Sequence, residues 1–490
     1  MGLFRAIQSA LTMRFWLAVL LGLIFSLVVW KTTTFDLRYT LALCGGFLAL
    51  SIAMMTVSFI DDFLICALVF NIPFSSYGKW LAAQPLAIPA RGINIGLAEL
   101  LIAVAYFSWF IKVFVIREEP LPKLTKIDFF IVFLLVVQGI SFLGAANQML
   151  AFFDIVYNIK HALIYFYLAH KIRKRHLKGI INLILFAIIV EGTIAVYETA
   201  TGNVGIGVTK GNISSTEFGT QPYVPGIEDE VRGAGTTIDS HSLGLYFAMI
   251  LPIPLVFLLT QFYKSSFRLL LLLVFLFGLS GLLVTFSRSG WLSFAITSLL
   301  SVSIIFFSWK QGRALPVIFF LFVVLIPFYP QLHTVIDKRF MQAPSELIDV
   351  RFEMAQTAVN IWMANPFFGY GPGNYLEAID DPRIFNTGHY GEMAERPVHN
   401  SFLWIAAELG LFGLMAYGGI ILTGIYNCFK LLRNEDRMVR GMSLALVAGF
   451  LAYLLDGVTN MMFREAEPYV QLMLYLALSQ VLQEQAALQS

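Results

Sequence analysis

Charge is scarce in this sequence. Of its 490 residues only 13% are Asp, Glu, Lys or Arg, against about 25% in an ordinary soluble domain. Apolar residues make up 58% and the mean hydropathy is +0.75, so a soluble enzyme is excluded. Period-two alternation is missing too, which removes a β-barrel. Cysteine is scarce: Cys44, Cys66 and Cys428 lie in or at the edge of apolar runs, a pattern that suggests packing and neither a disulfide framework nor a zinc site. No internal repeat, coiled coil, low-complexity tract or separate soluble domain stands out.

What the chain has in abundance is apolar runs of roughly 17 to 22 residues, the length that crosses about 30 Å of hydrocarbon as a helix. Spans are expected at about 15–30, 41–60, 63–75, 94–115, 128–147, 150–169, 179–198, 241–260, 269–286, 290–308, 314–330, 402–424, 441–461 and 469–484. The fold class is therefore an all-α integral membrane protein of about 12–14 transmembrane helices. The N-terminus, MGLFRAIQSALTMRFW, sets basic residues before an apolar run as a signal peptide does. It lacks a small-residue cleavage site, so Phe15 to Trp30 reads as a retained first span.

With a cytoplasmic N-terminus, five basic segments fall inside: Arg117 to Lys126, HKIRKRHLK at 170–178, Lys264 to Arg268, Lys310 to Arg313, and KLLRNEDRMVR at 430–440. That asymmetry follows the positive-inside rule. Asp61-Asp62 is expected in a cytoplasmic turn. Two long polar segments, about 199–240 and 331–400, then lie on the periplasmic side. Loops of this length in compact folds are functional or disordered, and their Arg and aromatic residues favour function. We divide the chain into N-terminal transmembrane helices (1–200) and a catalytic membrane region (201–490) that includes both loops.

Four signals gather at this outer face. VRGAGTTIDSHSLGLYFAMILP carries Arg232 just before a span. TFSRSGWLSF carries Arg288 in a turn of about three residues between two spans. RFEMAQTAVNIWMANPFFGYGPGNYL begins as an amphipathic helix from about Arg351 to Met363, stopped by Asn365-Pro366 and followed by a glycine-rich turn. RPVHNSFLWIAAELG places Arg396, His399 and Asn400 against an apolar helix that contains Glu408.

Taken singly, each residue has a plain reading: an Arg that snorkels to head groups, a His that caps a helix, loop tyrosines that pack. Taken together they suit transfer from a lipid-linked phosphate donor. Guanidiniums hold a diphosphate through charge-assisted, often bidentate hydrogen bonds. An imidazole near a helix N-terminus is held neutral by the positive end of the dipole and can act as a general base. Glu408, nine residues beyond His399, falls on the opposite helix face and needs a polar partner on a neighbouring span. No DxD-type pair marks the outer face apart from Asp380-Asp381, so arginine is expected in place of a divalent metal and no cofactor is expected.

TFSRSGW, the RFEMA…NPFFGYGPGNY block and HNSFLWIAAELG, with weaker support from VRGAGT, resemble the O-antigen ligase/polymerase (Wzy-C) superfamily over about residues 228–420. The resemblance implies an inverting, metal-independent membrane glycosyltransferase with a GT-C-type bundle in the bacterial inner membrane, its active site periplasmic. The donor would be a glycan on undecaprenyl diphosphate. The acceptor would be another lipid-linked repeat unit or lipid A-core. His399 would be the base, Arg232, Arg288, Arg351 and Arg396 the diphosphate binders, Asn400 and Glu408 supports, and Tyr370, Tyr375 and Tyr390 sugar contacts. Besides substrates the partners would be the bilayer and other polysaccharide assembly proteins, with no nucleic acid.

Polymerases of the better-known kind separate an Arg and a Gly by ten residues. Arg232 and Gly244 are separated by eleven, so that motif is not assigned. Ligase against polymerase stays open, with a lean to polymerase because two long outer loops offer room for two glycan chains. A transporter or flippase is the reading from another class.

Overall fold

The computed structural model describes residues 60–74, 78–83, 92–115, 117, 119–202, 223–224, 227–237, 239–260, 265–309, 346–379 and 397–487. The spans expected at 15–30 and 314–330 lie outside these residues, as do Arg396, Tyr390 and all but the last residue of the span expected at 41–60.

Inside hydrocarbon every backbone N–H and C=O must be paired within the protein, so a continuous apolar run becomes a helix. Among the described residues the helices are α1 (Ile60–Phe70), α2 (Leu97–Phe110), α3 (Lys126–Phe142), α4 (Gln148–Lys171), α5 (Lys174–Thr201), α6 (Ser240–Ile250), α7 (Pro252–Leu259), α8 (Ser265–Val284), α9 (Arg288–Ser303), α10 (Glu346–Ala364), α11 (Tyr375–Ile379), α12 (Ser401–Lys430), α13 (Arg437–Gly457) and α14 (Ala466–Ala487). Among these residues, eight helical stretches are long and apolar enough to cross a membrane: Leu97–Phe114, Gln148–Lys171, Lys174–Thr201, Ser240–Leu259, Phe267–Val284, Arg288–Ser308, Ser401–Arg433 and Arg437–Gly457. The protein is an all-α integral membrane protein.

Two antiparallel hairpins interrupt this pattern, β1 (Gly78–Ala83) with β2 (Gly92–Gly96) and β3 (Tyr223–Val224) with β4 (Ile227–Val231). A second departure concerns Asp61 and Asp62. They occupy the first turn of α1, where the positive end of the helix dipole favours carboxylates, and not a turn between helices. Lys112 pairs with Asp61 at 2.5 Å and Arg175 with Asp62 at 2.8 Å.

The 240–259 span forms the axis of the bundle. Its whole apolar window is buried, and α6 and α7 touch α8, α9 and α13. Pro252 sits in the first turn of α7, where its missing N–H costs nothing. Small residues let neighbouring helices close in. A Cβ at Gly281 of α8 would lie 2.9 Å from the Gly192 Cα of α5, and one at Gly290 of α9 would lie 3.0 Å from the Gly244 backbone of α6. The second crossing presses the first turn of α9, and with it Arg288, onto α6.

Helix α12 is broken at Gly410, which has φ +64°. The turn after α10 takes up the freed backbone groups. Tyr370 N and Gly371 N donate to the Ala407 and Glu408 carbonyls at 2.9 and 3.0 Å, while Leu411 N and Phe412 N donate to the Pro366 and Phe367 carbonyls at 2.8 and 3.2 Å. Backbone lies directly on backbone here: a Cβ at Gly369 would stand 2.2 Å from Glu408, and one at Gly410 2.3 Å from Phe367. The glycines of NPFFGYGPGN thus serve to dock a turn into a helix break, which satisfies the rule that irregular backbone in a membrane protein must be sheltered by protein.

Candidate active site at one end of the bundle

Arg232 follows directly on β4 and is buried. Its Nε donates to the Thr285 carbonyl at 3.0 Å, and the next residue, Gly233, donates its N–H to the Val284 carbonyl at 2.9 Å. Both acceptors lie where α8 ends, so the guanidinium is fixed three residues along the chain from Arg288. Arg232 Nη1 also lies 3.4 Å from His241 Nε2.

Arg288 opens α9. Ser287 caps that helix, its Oγ accepting from Gly290 N at 3.3 Å, as a serine before a first turn does. Arg351, on α10, is close enough to feel this charge. The protein around Arg351 and, second, the positive charge of Arg288 push its guanidinium below its ordinary value.

His399 is half-buried in the short segment that leads into α12. Asn400 caps α12, its Oδ1 accepting from Phe402 N at 3.0 Å and Leu403 N at 2.9 Å, while its Nδ2 donates to the Val458 carbonyl at 2.9 Å. Ser401 donates through N and Oγ to the Asn460 carbonyl at 3.0 and 2.8 Å. The Asn460 side chain then donates to Ser289 Oγ at 2.8 Å and to Asp456 Oδ2 at 3.0 Å. Asn460 therefore joins the start of α12, beside His399, to the start of α9, beside Arg288. Arg232, Arg288 and His399 are gathered at one end of the bundle, next to two helix N-termini whose N–H groups favour anions.

Glu408 belongs to a different cluster. It accepts from Trp404 Nε1 at 2.7 Å, Gly373 N at 3.1 Å and Tyr375 N at 3.2 Å. It also pairs with Arg464, which pairs in turn with Asp154 of α4. Gln138 of α3 donates to Asp154 at 3.1 Å. All three side chains are buried, and together they tie α4, α12 and the docked turn to the segment before α14.

Of the tyrosines, Tyr370 is half-buried and takes part in the docked turn through its backbone. Tyr375 departs from the expected sugar contact. It is 1% exposed, its ring packs 5.8 Å from that of Trp404 and its hydroxyl donates to the Met354 carbonyl at 3.4 Å, which leaves no ring face for a ligand.

Sequence reading passed over Asn460, Asp456, Arg464, His241 and the pair Glu191 and Glu198. The last two carried a visible signal: carboxylates seven residues apart inside an apolar span lie on one helix face and demand partners. Asn460 carried none, since VTN is an ordinary helix-end sequence.

These features define a polytopic helical membrane protein with two arginines and a histidine gathered at one end of its bundle. A family model described as O-antigen ligase matches residues 272–418, from within α8 through Arg288 and His399 into α12. The match supports the O-antigen ligase/polymerase superfamily for this chain. No curated protein matches it.

Proposed function

We propose that this O-antigen ligase/polymerase-type membrane enzyme transfers an oligo- or polysaccharide from undecaprenyl diphosphate to a sugar hydroxyl, with inversion and without metal, as an O-antigen or exopolysaccharide polymerase. The single observation that carries the reading is the Asn460 bridge, which ties the helix start beside His399 to the one beside Arg288.

In this reading neutral His399 takes the proton of the acceptor hydroxyl. The acceptor oxygen forms its bond to the donor's anomeric carbon as the bond from that carbon to the diphosphate oxygen breaks. One displacement inverts the anomeric centre, and undecaprenyl diphosphate leaves with the electron pair. Arg232 and Arg288 hold the leaving diphosphate, with Arg351 and Arg396 adding to the field. Like charges placed near one another, as Arg288 and Arg351 are, are relieved by an anion between them. Asn400 holds the helix start that carries His399, and Tyr370 offers a sugar contact. The catalytic region is 201–490, and the site opens on the periplasmic side of the inner membrane, where lipid-linked glycans meet their acceptors.

A second reading, ligation of the glycan to lipid A-core, is favoured by the description of the matched family. The test is the product made by purified protein from a lipid-linked oligosaccharide, with and without lipid A-core. Longer lipid-linked chains support the polymerase, a capped core supports the ligase, and unchanged substrate in both arms overturns both.

A further inference from the structure

Helix α5 carries two carboxylates in a stretch apolar enough to cross a membrane. Glu191 and Glu198 are 1% and 0% exposed, and seven residues apart they lie on the same helix face. Buried carboxylates at such depth are costly and persist where something compensates them. Here the compensation comes from one short segment. Glu198 Oε2 accepts from Ala234 N at 2.9 Å and Gly235 N at 2.8 Å, while Glu191 accepts from Thr236 N at 2.9 Å and Thr236 Oγ1 at 2.5 Å.

Four donors on three consecutive residues converge on two acids, directly after Arg232. The geometry leaves little slack. Gly235 has φ +57°, and a Cβ there would meet Glu191 Oε2 at 2.4 Å; one at Gly233 would meet the Ala195 carbonyl of α5 at 2.7 Å. The segment therefore lies flush on α5, and it sets the Arg232 guanidinium against the end of α8 and near His241.

We propose that Glu198 and Glu191 are positioning residues for Arg232: an intramembrane carboxylate clamp that aims this guanidinium at the donor diphosphate. The inference rests on the transferase reading above and extends it to residues outside the matched stretch. The acids accept from the segment's N–H and O–H groups, while the packing of α5 on α8 runs through Gly192 and Gly281. Removing a carboxylate frees the segment while that helix contact remains.

The test is a double-mutant cycle on purified protein, reading kcat/KM for a lipid-diphosphate-linked oligosaccharide alongside melting temperature. Glu198→Ala is expected to lower kcat/KM by roughly ten-fold or more, the scale of lost charge-assisted hydrogen bonds. Added to Arg232→Ala, it is expected to cost less than about two-fold further, because residues acting as one unit are not additive. Glu198→Gln, which keeps an acceptor oxygen for Ala234 N and Gly235 N, recovers most of the loss.

Folded Glu198→Ala with wild-type kcat/KM, or a loss that multiplies in full with that of Arg232→Ala, overturns the clamp. Should Glu198→Ala fail to fold, Thr236→Val removes one donor to Glu191 and enters the same cycle: a loss shared with Arg232→Ala supports the clamp and an unshared loss or no loss overturns it. Full activity in Arg232→Ala alone overturns the donor-binding reading, and the clamp with it. A loss in Arg232→Ala with none in the Glu198 and Thr236 variants overturns the clamp only.

Discussion

Two charged regions of this protein invite comparison. Around Arg464 a guanidinium sits between Asp154 and Glu408, and the acids also accept from Trp404, Gln138 and the Gly373 and Tyr375 amides. Around Arg288 the guanidinium stands half-buried at a helix start, near a second arginine. The first region is buried, one guanidinium held between two carboxyl groups. The second gathers arginines and a histidine at the end of the bundle, beside the N-termini of α9 and α12, whose N–H groups favour anions. Both use arginine, and what separates them is burial: Arg464 is enclosed by protein, whereas Arg288 is half-buried at a helix start.

The comparison can be broken in order of effect. Arg464→Ala leaves two buried carboxylates uncompensated and should cost about 3–5 kcal/mol of stability, the range for breaking a buried ion pair. Thermal melting in detergent checks it, and a variant that melts like wild type would show the pairing to be dispensable. Arg288→Lys keeps the charge but loses the planar fork, so donor kcat/KM should fall by roughly ten- to a hundred-fold with little change in melting. Steady-state kinetics on a lipid-linked oligosaccharide reads this, and full activity there would remove bidentate diphosphate binding at Arg288. Asn400→Ala deletes the cap of α12 and should cost about 1 kcal/mol, seen as a small drop in melting temperature. A larger loss of activity than of stability in that variant would sharpen the case that the helix start positions His399.

Much of the architecture was legible because hydrocarbon imposes one rule on the backbone. The runs at 150–169, 179–198 and 402–424 became α4, α5 and α12, each longer than its apolar stretch. The extra turns are polar, such as Lys174 to Lys178, and are invisible to a hydropathy reading. The break in α12 was not legible. Gly410 sits among small and apolar residues that read as continuous helix, and only the docked turn reveals why φ +64° is needed.

The candidate site shows the same division. Arg288 and His399 were conspicuous because each is a polar residue at the edge of an apolar run. That Glu408 needed a partner followed from the cost of a membrane carboxylate; that Arg464 is the partner did not, because pairing between distant segments leaves no local pattern. Asn460 is the extreme case, since its role lies entirely in three segments meeting: the starts of α9 and α12 and the end of α13.

The most direct measurement is glycan transfer by purified His399→Ala set beside its melting temperature. Loss of the proposed base predicts a rate reduced by about 100- to 10,000-fold in a protein that melts as wild type does. Wild-type transfer by the folded variant would contradict the account, because the acceptor hydroxyl would then lose its proton to some other group.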